Sequence, residues 1–284
     1  MVECRNCKSL QLRDLGFVGA VAPFFLRRVF RMEVGTATAR NPLKRLICNL
    51  LKPLKPLFDR IYPPMAMVEL QVCLTCAFVQ IKHVIPEERI NELYTDYRSE
   101  SYNTERIRYE RGYAEVAKHI GLGSEAEVRV DELTRWLDGK MEVSGDFSML
   151  DFGGADGRFL PALAGRKFVY EISDYPAAPG ITRIHDEADL KLYDYVQVAH
   201  VLEHVMQPLE LVKSVSRYVS PGGYLYVEVP QEISDDALAA LKQGESPSGL
   251  WVHEHINQYS CSAVEHLLEA AGLEAVAIEG KSLT

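Results

Sequence analysis

From about residue 147 onward the chain reads as short apolar runs separated by longer mixed ones. "FSMLDFGG", "RKFVYEIS", "ITRIHD", "YDYVQVAH" and "GGYLYVEVP" are β-rich and mostly apolar, the signature of strands buried on both faces. A stretch of helical period, "QPLELVKSVSRYVS", leads into the last of them. This alternation predicts an α/β fold: a doubly wound, mostly parallel sheet covered by helices. Upstream, from Pro86 to about Asp146, the period is that of helices. "PEERINELYTDY" comes first, then "TERIRYERGYAEVAKHIG" ending in a glycine suited to a C-cap, then "SEAEVRVDELTRWLDG", which opens on a serine and closes on a glycine. In "NPLKRLICNLLKPLKPLF", Leu43, Leu46, Ile47, Leu50, Leu51 and Leu54 share one helical stripe, Lys44, Arg45 and Lys52 lie off it, and Pro53 and Pro56 end it. The patterns divide the chain into residues 1–85, with an insertion at about 23–60, a helical connection at 86–146, and the sheet-forming part at 147–284.

Composition bounds this picture without changing it. With 284 residues, 47% hydrophobic and 25% charged, the chain has room for one large domain and a smaller module. No apolar run approaches the roughly 18 residues a membrane span requires, and "MVECRNCKS" carries no charged-then-apolar leader, so the expected compartment is the cytosol. Thiols stay reduced there. Two C-x-x-C pairs, Cys4 with Cys7 and Cys73 with Cys76, then fit one tetrahedral thiolate site for zinc better than disulfides. The plainer reading makes them two unrelated pairs, and Cys48 and Cys261 lack partner spacing altogether. A net charge of −9 disfavours nucleic acid as a partner, yet nine Lys and Arg stand against two acids between Pro23 and Arg60. The stretch 42–58 therefore either packs on the rest of the protein or touches an anionic surface, which would place the protein at the inner face of the membrane or against a lipid-linked substrate.

Candidate chemistry sits at the ends of the predicted strands. In "DFGGADGRFL", Asp151 closes the first strand, and Gly153, Gly154 and Gly157 fill the turn before an expected helix, where missing side chains let a ligand approach the backbone. Glu171 ends the second strand, where a carboxylate can accept both hydroxyls of a ribose. Asp151 and Asp156 would repel a pyrophosphate, so an adenosine ligand without one is indicated. S-adenosylmethionine, with its cationic sulfonium and amino groups, suits that charge.

Through "DFGGADG", Glu171, "YDYVQVAHVLEHV" and "SPGGYLYVEVP", roughly residues 147–280 resemble the class I S-adenosylmethionine-dependent methyltransferases, with their Rossmann-like fold. The resemblance implies that Gly153 and Gly157 shape the methionine side of the pocket, that Asp186 of "HDEADL" contacts adenine, and that His200 lies near the methionine. In the alternative reading, His200 with Glu203 and His204 only caps a helix. "CRNCKSLQLRDLG", "YPPMAMVELQVCLTCAFVQI", "DYRSESYNT" and "VHEHINQYS" are in turn similar to the sugar C-methyltransferases, which act on nucleotide-linked keto-deoxysugars. That resemblance implies a small zinc-ribbon module ligated by Cys4, Cys7, Cys73 and Cys76, and a catalytic pair formed by Glu254 and His255. His255 would be the general base, Glu254 would orient it or hold a substrate hydroxyl, and His253 would support both. The alternative for this segment is a helix cap. Two positions depart from the family: Val252 and Ser99 stand where it has tyrosines, although Tyr97 and Tyr102 lie beside Ser99. The chain also ends at "EGKSLT" without the family's C-terminal domain or the last antiparallel strand of the sheet. A hydroxyl acceptor needs no enolate-handling tyrosines, so O-methylation of a sugar or polysaccharide precursor is expected beside C-methylation. The rivals are a zinc-ribbon RNA methyltransferase and a binding protein on the same scaffold.

Overall fold

The computed structural model describes residues 3–20, 22–32, 66–110, 112–119, 124–143, 145–243 and 251–280. The amphipathic stretch 42–58 and Cys48 lie outside the described residues. Near the N-terminus β1 (Leu12–Ala20), β2 (Ala66–Cys73) and β3 (Val79–Ile81) pair antiparallel in chain order. Val68, Leu70 and Val72 point to the same side of β2 and are buried, as a strand period of two requires. They pack with Phe24, Phe25, Leu26 and Val29 of α1 (Pro23–Phe30). The charges of α1 are paired as well: Arg28 binds Asp96 at 2.7 Å and Glu105 at 2.6 Å.

Four helices connect the two sheets: α2 (Glu87–Thr95), α3 (Glu100–Tyr109), α4 (Tyr113–His119) and α5 (Ser124–Leu137). Ser99 caps α3 by accepting from the Tyr102 N–H at 3.1 Å. The sequence pattern predicts one continuous helix over "TERIRYERGYAEVAKHIG", and the structure corrects this to two. Glu110 leaves the helix so that its carboxylate can accept from the Phe24 N–H at 3.2 Å and from Arg106 Nε at 2.8 Å. Phe24 belongs to the first turn of α1, whose N–H groups have no partner within their own helix. A tertiary cap for α1 thus outweighs the local period.

The second sheet has the order β6-β5-β4-β7-β8, formed by β4 (Ser148–Phe152), β5 (Arg166–Tyr170), β6 (Ile181–Ile184), β7 (Tyr193–Ala199) and β8 (Val219–Glu228). Among the described residues every pairing in it is parallel. One face buries Leu150, Val196 and Val198 against Leu209, Val212 and Val215 of α6 (Pro208–Val215) and Ala263 and Leu267 of α8 (Cys261–Ala270); α7 (Asp235–Gln243) precedes α8 in the chain. The other face buries Met149 and Tyr195 against Leu133 and Leu137 of α5. The helix expected after "DFGG" does not form. Residues 153–165 are turns, because Gly153 and Gly157 hold φ of 75° and 77° and Pro161 disfavours helical backbone at Leu160. No described helix is long and apolar enough to cross a membrane.

The "HEH" segment returns to the first sheet. It is flanked by β9 (Trp251–Val252), parallel to β1, and β10 (Asn257–Gln258), antiparallel to β3, which gives the order β10-β3-β2-β1-β9. Five Cα steps from residue 252 to 257 reach at most about 18 Å, whereas the two edges of a flat five-stranded sheet stand about 19 Å apart. The first sheet must therefore curl, and its edges converge beneath residues 253–256. Asn257 fixes this arrangement to the second sheet, donating from Nδ2 to the carbonyls of Leu202 at 2.8 Å and Val205 at 2.6 Å. Asn257→Ala strands these buried carbonyls, so urea denaturation should show a loss of about 1–3 kcal/mol.

Candidate active site

The order of the second sheet reverses between β4 and β7, and open α/β sheets bind ligands beyond the carboxyl ends of strands at such a point. Asp151, at the end of β4, is buried there. Its Oδ1 accepts from Gln197 Nε2 at 3.3 Å, while Oδ2 has no partner among the described residues. Burial pushes its pKa up to about 7 against the opposing effect of the Gln197 hydrogen bond. A Cβ on Gly154 would lie 2.0 Å from this carboxylate, and one on Gly153 2.9 Å from Val201. Asp156 carries its own counter-ion, Arg158, whose Nε donates at 2.6 Å. Of the two aspartates named from sequence, Asp156 is therefore paired within the protein, whereas Asp151 Oδ2 is not. Glu171 follows β5 and accepts from the N–H groups of Ala155 at 3.0 Å and Ser173 at 2.9 Å, which leaves acceptor capacity on both oxygens. Asp186 caps the short turn after β6, accepting from the Ala188 N–H at 2.9 Å.

Beyond β7, His200 adopts a left-handed backbone, φ 56°, and both ring nitrogens meet carboxylates, Glu203 and Glu228, at 3.2 Å each. Burial lowers its pKa, but the two carboxylates outweigh it and hold the value at about 9. Burial would raise the pKa of Glu228; His200, Arg129 and the Tyr226 hydroxyl bring it down to about 2. His204 is a neighbour that sequence reading placed only in a cap. Its Nδ1 meets the Tyr94 hydroxyl at 2.8 Å and the Glu254 carbonyl at 3.3 Å, and burial lowers its pKa.

His255 stacks edge-on against His204, ring centroids 4.8 Å apart. Its Nδ1 hydrogen-bonds Glu232 at 2.8 Å, so Glu254 is not the carboxylate that orients it. Burial lowers the His255 pKa, but the Glu232 carboxylate prevails and raises it. Glu254 turns instead onto Arg106, and His253 lies 3.8 Å from the same carboxylate. Glu232, Arg106 and Tyr94 were not legible as site residues; only the apposition of the 231–232 strap and Tyr259 reveals Glu232. Tyr97 is partly buried, edge-on to Tyr94 and Tyr102. Tyr102 is fully buried, its hydroxyl accepting from Arg106 at 3.0 Å, and so does not reach the cleft. Val252 is buried in β9.

The four cysteines converge although β1, α1 and β2 separate their pairs. Cys4 Sγ lies 3.7 Å from Cys76 Sγ, and Cys7 Sγ 3.7 Å from Cys73 Sγ. Both C-x-x-C turns end alike: the N–H groups of Lys8 and Ala77 donate to the carbonyls of Cys4 and Cys73 at 2.9 Å, and both residues are left-handed. Such S–S spacing is close to the tetrahedral edge of about 3.8 Å set by Zn–S bonds of about 2.3 Å. It far exceeds a disulfide bond of about 2.05 Å.

Residues 110–278 match the family described as a methyltransferase domain. The chain belongs to that family. It is a class I S-adenosylmethionine-dependent methyltransferase. No curated protein matches the chain. Among solved structures it is similar to an S-adenosylmethionine-dependent methyltransferase of Thermotoga maritima, at 18% identity and a TM-score of 0.40 over 59% of this chain and 80% of that one. It is also similar to the magnesium protoporphyrin IX methyltransferase of Synechocystis PCC 6803, at 15% identity and 0.38 over 57% and 84%. A complex of the Haloferax volcanii Trm112 methyltransferase activator with a methyltransferase gives 16% identity and 0.37 over 57% and 75%.

The raised Asp151 pKa makes a testable demand on this methyltransferase. The native state holds the Asp151 proton up to about pH 7, whereas an unfolded aspartate releases it near 3.9. Between these values the native state binds the more protons, so stability falls as pH rises. Asp151→Asn removes that loss. The variant's thermal midpoint without ligand should gain on the parent's from about pH 4 to about pH 7, then run parallel to it.

Proposed function

We propose that this methyltransferase acts on a hydroxyl of a carbohydrate, a sugar, nucleotide sugar or polysaccharide precursor, with His255 as general base. The observation that carries the reading is the His255–Glu232 pair, 2.8 Å apart, with the His255 ring edge-on to His204, which in turn packs on the partly open ring of Tyr94 and, through it, reaches Tyr97. Glu232 accepts from Nδ1–H and so fixes the tautomer, leaving Nε2 with a lone pair for the acceptor's proton. Aromatic faces beside polar groups suit a sugar, and the sequence resemblance to sugar methyltransferases points the same way. Val252 and Tyr102 are buried, and the Tyr94 hydroxyl is held by His204. Of Tyr94, Tyr97 and Tyr102, this leaves Tyr97 as the one phenol that is neither fully buried nor held by His204, a reduced set for handling an enolate, which favours a hydroxyl acceptor over the C-methylation known in that family.

For the cofactor, the unpartnered Asp151 Oδ2 suits a cationic group and the spare acceptor capacity of Glu171 suits a ribose diol. Gly153 and Gly157 lie where side chains would clash, and Asp186 borders the adenine side. When bound, S-adenosylmethionine supplies an electrophilic methyl carbon on a sulfonium. His255 would receive the proton of the acceptor's hydroxyl, and Glu232 would stabilise the imidazolium that results. His200, with both nitrogens engaged, is a positioning group rather than an alternative base. Glu254 and His253 anchor the segment through Arg106.

The four thiolates are proposed to hold one structural zinc, with residues 1–85 as its module, 86–146 as connection and 147–284 as the methyltransferase part. A closed four-cysteine set leaves no position for catalysis. Elemental analysis should return one zinc that survives dialysis, and Cys76→Ala should lose it with a fall in thermal midpoint of roughly 10 °C.

Transfer of labelled methyl to a panel of nucleotide sugars and glycans, followed by mass spectrometry, tests the acceptor; labelling of RNA alone would overturn it. With an acceptor in hand, His255→Ala should lower kcat by about 100- to 10,000-fold and leave the affinity for the demethylated cofactor product unchanged by calorimetry. Glu232→Gln should cost roughly tenfold, as expected of a group that acts through His255. Unaltered turnover in His255→Ala would refute the base assignment.

A further inference from the structure

We propose that Glu203, His204 and His255 form a second metal site, separate from the four thiolates, for a divalent transition ion such as zinc or cobalt. One ligand atom from each lies within 4.8 Å of the others. Bonds of about 2.0–2.2 Å would hold such atoms about 3.4 Å apart, so inward rotation of side chains by about an ångström completes the set. His204 Nε2 already faces Glu203, 3.9 Å from its Oε1.

Two further observations point to an ion. Each imidazole is held from behind at Nδ1: His204 by the Glu254 carbonyl at 3.3 Å and the Tyr94 hydroxyl at 2.8 Å, His255 by Glu232 at 2.8 Å. The Glu232 carboxylate only accepts, so the neutral His255 ring carries its proton on Nδ1 and keeps the Nε2 lone pair; the Glu254 carbonyl likewise accepts from Nδ1–H in the His204 tautomer that frees Nε2. This is the outer-shell pattern of metal-bound histidines. Glu203, in addition, is fully buried, and its Oε2 has no hydrogen-bond partner among the described residues. A buried carboxylate oxygen without a partner is costly unless something charged completes it. Two imidazoles and one carboxylate select zinc, cobalt or iron(II) over magnesium or calcium. His255 and His204 retain 28% and 17% of their side-chain exposure, which gives the ion a way in.

A metal on His255 takes the lone pair that would accept the proton, so the ion and methyl transfer exclude each other. That consequence rests on the base assignment; the site itself does not. The test uses the full chain with its thiolates filled by zinc, titrated with Co²⁺. One further equivalent should bind with visible d–d absorption and no thiolate-to-cobalt charge-transfer band. Glu203→Gln and His204→Ala should each abolish it while the tightly held zinc remains. No further equivalent in the unaltered protein, a charge-transfer band, or undiminished binding in both variants would overturn the site, and the first two readings hold even where a variant fails to fold. At saturation, cobalt should suppress turnover at least tenfold, with recovery on adding chelator. Cobalt bound with turnover intact would leave the site standing and remove His255 as the base.

Discussion

Everything at the cleft depends on a short span of backbone that must serve two sheets. Residues 253–256 join β9 on one edge of the curled first sheet to β10 on the other, while Asn257 holds the carbonyls of Leu202 and Val205 beside the second. The Ile256 N–H donates to the Glu203 carbonyl at 2.9 Å and its carbonyl accepts from Ile81 at 3.1 Å, so the segment is tied from both sides by main chain. With backbone this constrained, side-chain directions follow. Glu254 is turned inward to Arg106, and His255 is left facing Glu232 and His204. The site is therefore a joint between sheets rather than an extension of one.

Burial sorts the charges around that joint. Arg106 is shared by Glu110 and Glu254, and Arg129 holds Glu228, which with Glu203 brackets His200. These groups are satisfied, as buried charges must be. Two oxygens near the ends of β4 and β7 are different: Asp151 Oδ2 and the second oxygen of Glu203, Oε2, have no hydrogen-bond partner among the described residues. These two open acceptor oxygens follow the strands β4 and β7, between which the order of the second sheet reverses. Both cationic ligands inferred above are directed there.

The sequence was most informative where one element decides the outcome by itself. The parallel strands could be read from their apolar runs, because strands covered on both faces have no polar alternation to hide them. Asp151, Gly153, Gly154 and Glu171 could be placed because a strand end fixes them locally. Glu232 and Tyr94 could not, since each acquires its partner only through contacts distant in sequence: Glu232 through the 231–259 bridge, Tyr94 by its reach to His204. The break between α3 and α4 was hidden for the same reason. Glu110 leaves the helix for an N–H at Phe24, a partner no local period announces.

The same reasoning explains why two C-x-x-C turns lie so far apart in sequence. Cys73 ends β2, and the turn through Cys76 leads into β3, whose Val79 and Gln80 pair with Gln258 and Asn257. On the other side, Asn6 of the first turn donates to the Ala263 carbonyl in the opening turn of α8 at 2.7 Å, and Phe78 packs on Tyr259 with ring centroids 5.0 Å apart. Each turn thus grips one flank of the segment that carries His255. Fastening the two turns together fixes β10 and the start of α8 relative to each other without any side chain entering the cleft. With His255 as the proposed base, the cysteine module would act on it only through backbone position, and loosening it should move His255 before it disturbs Asp151 or Glu171, which are held by Gln197, Ala155 and Ser173.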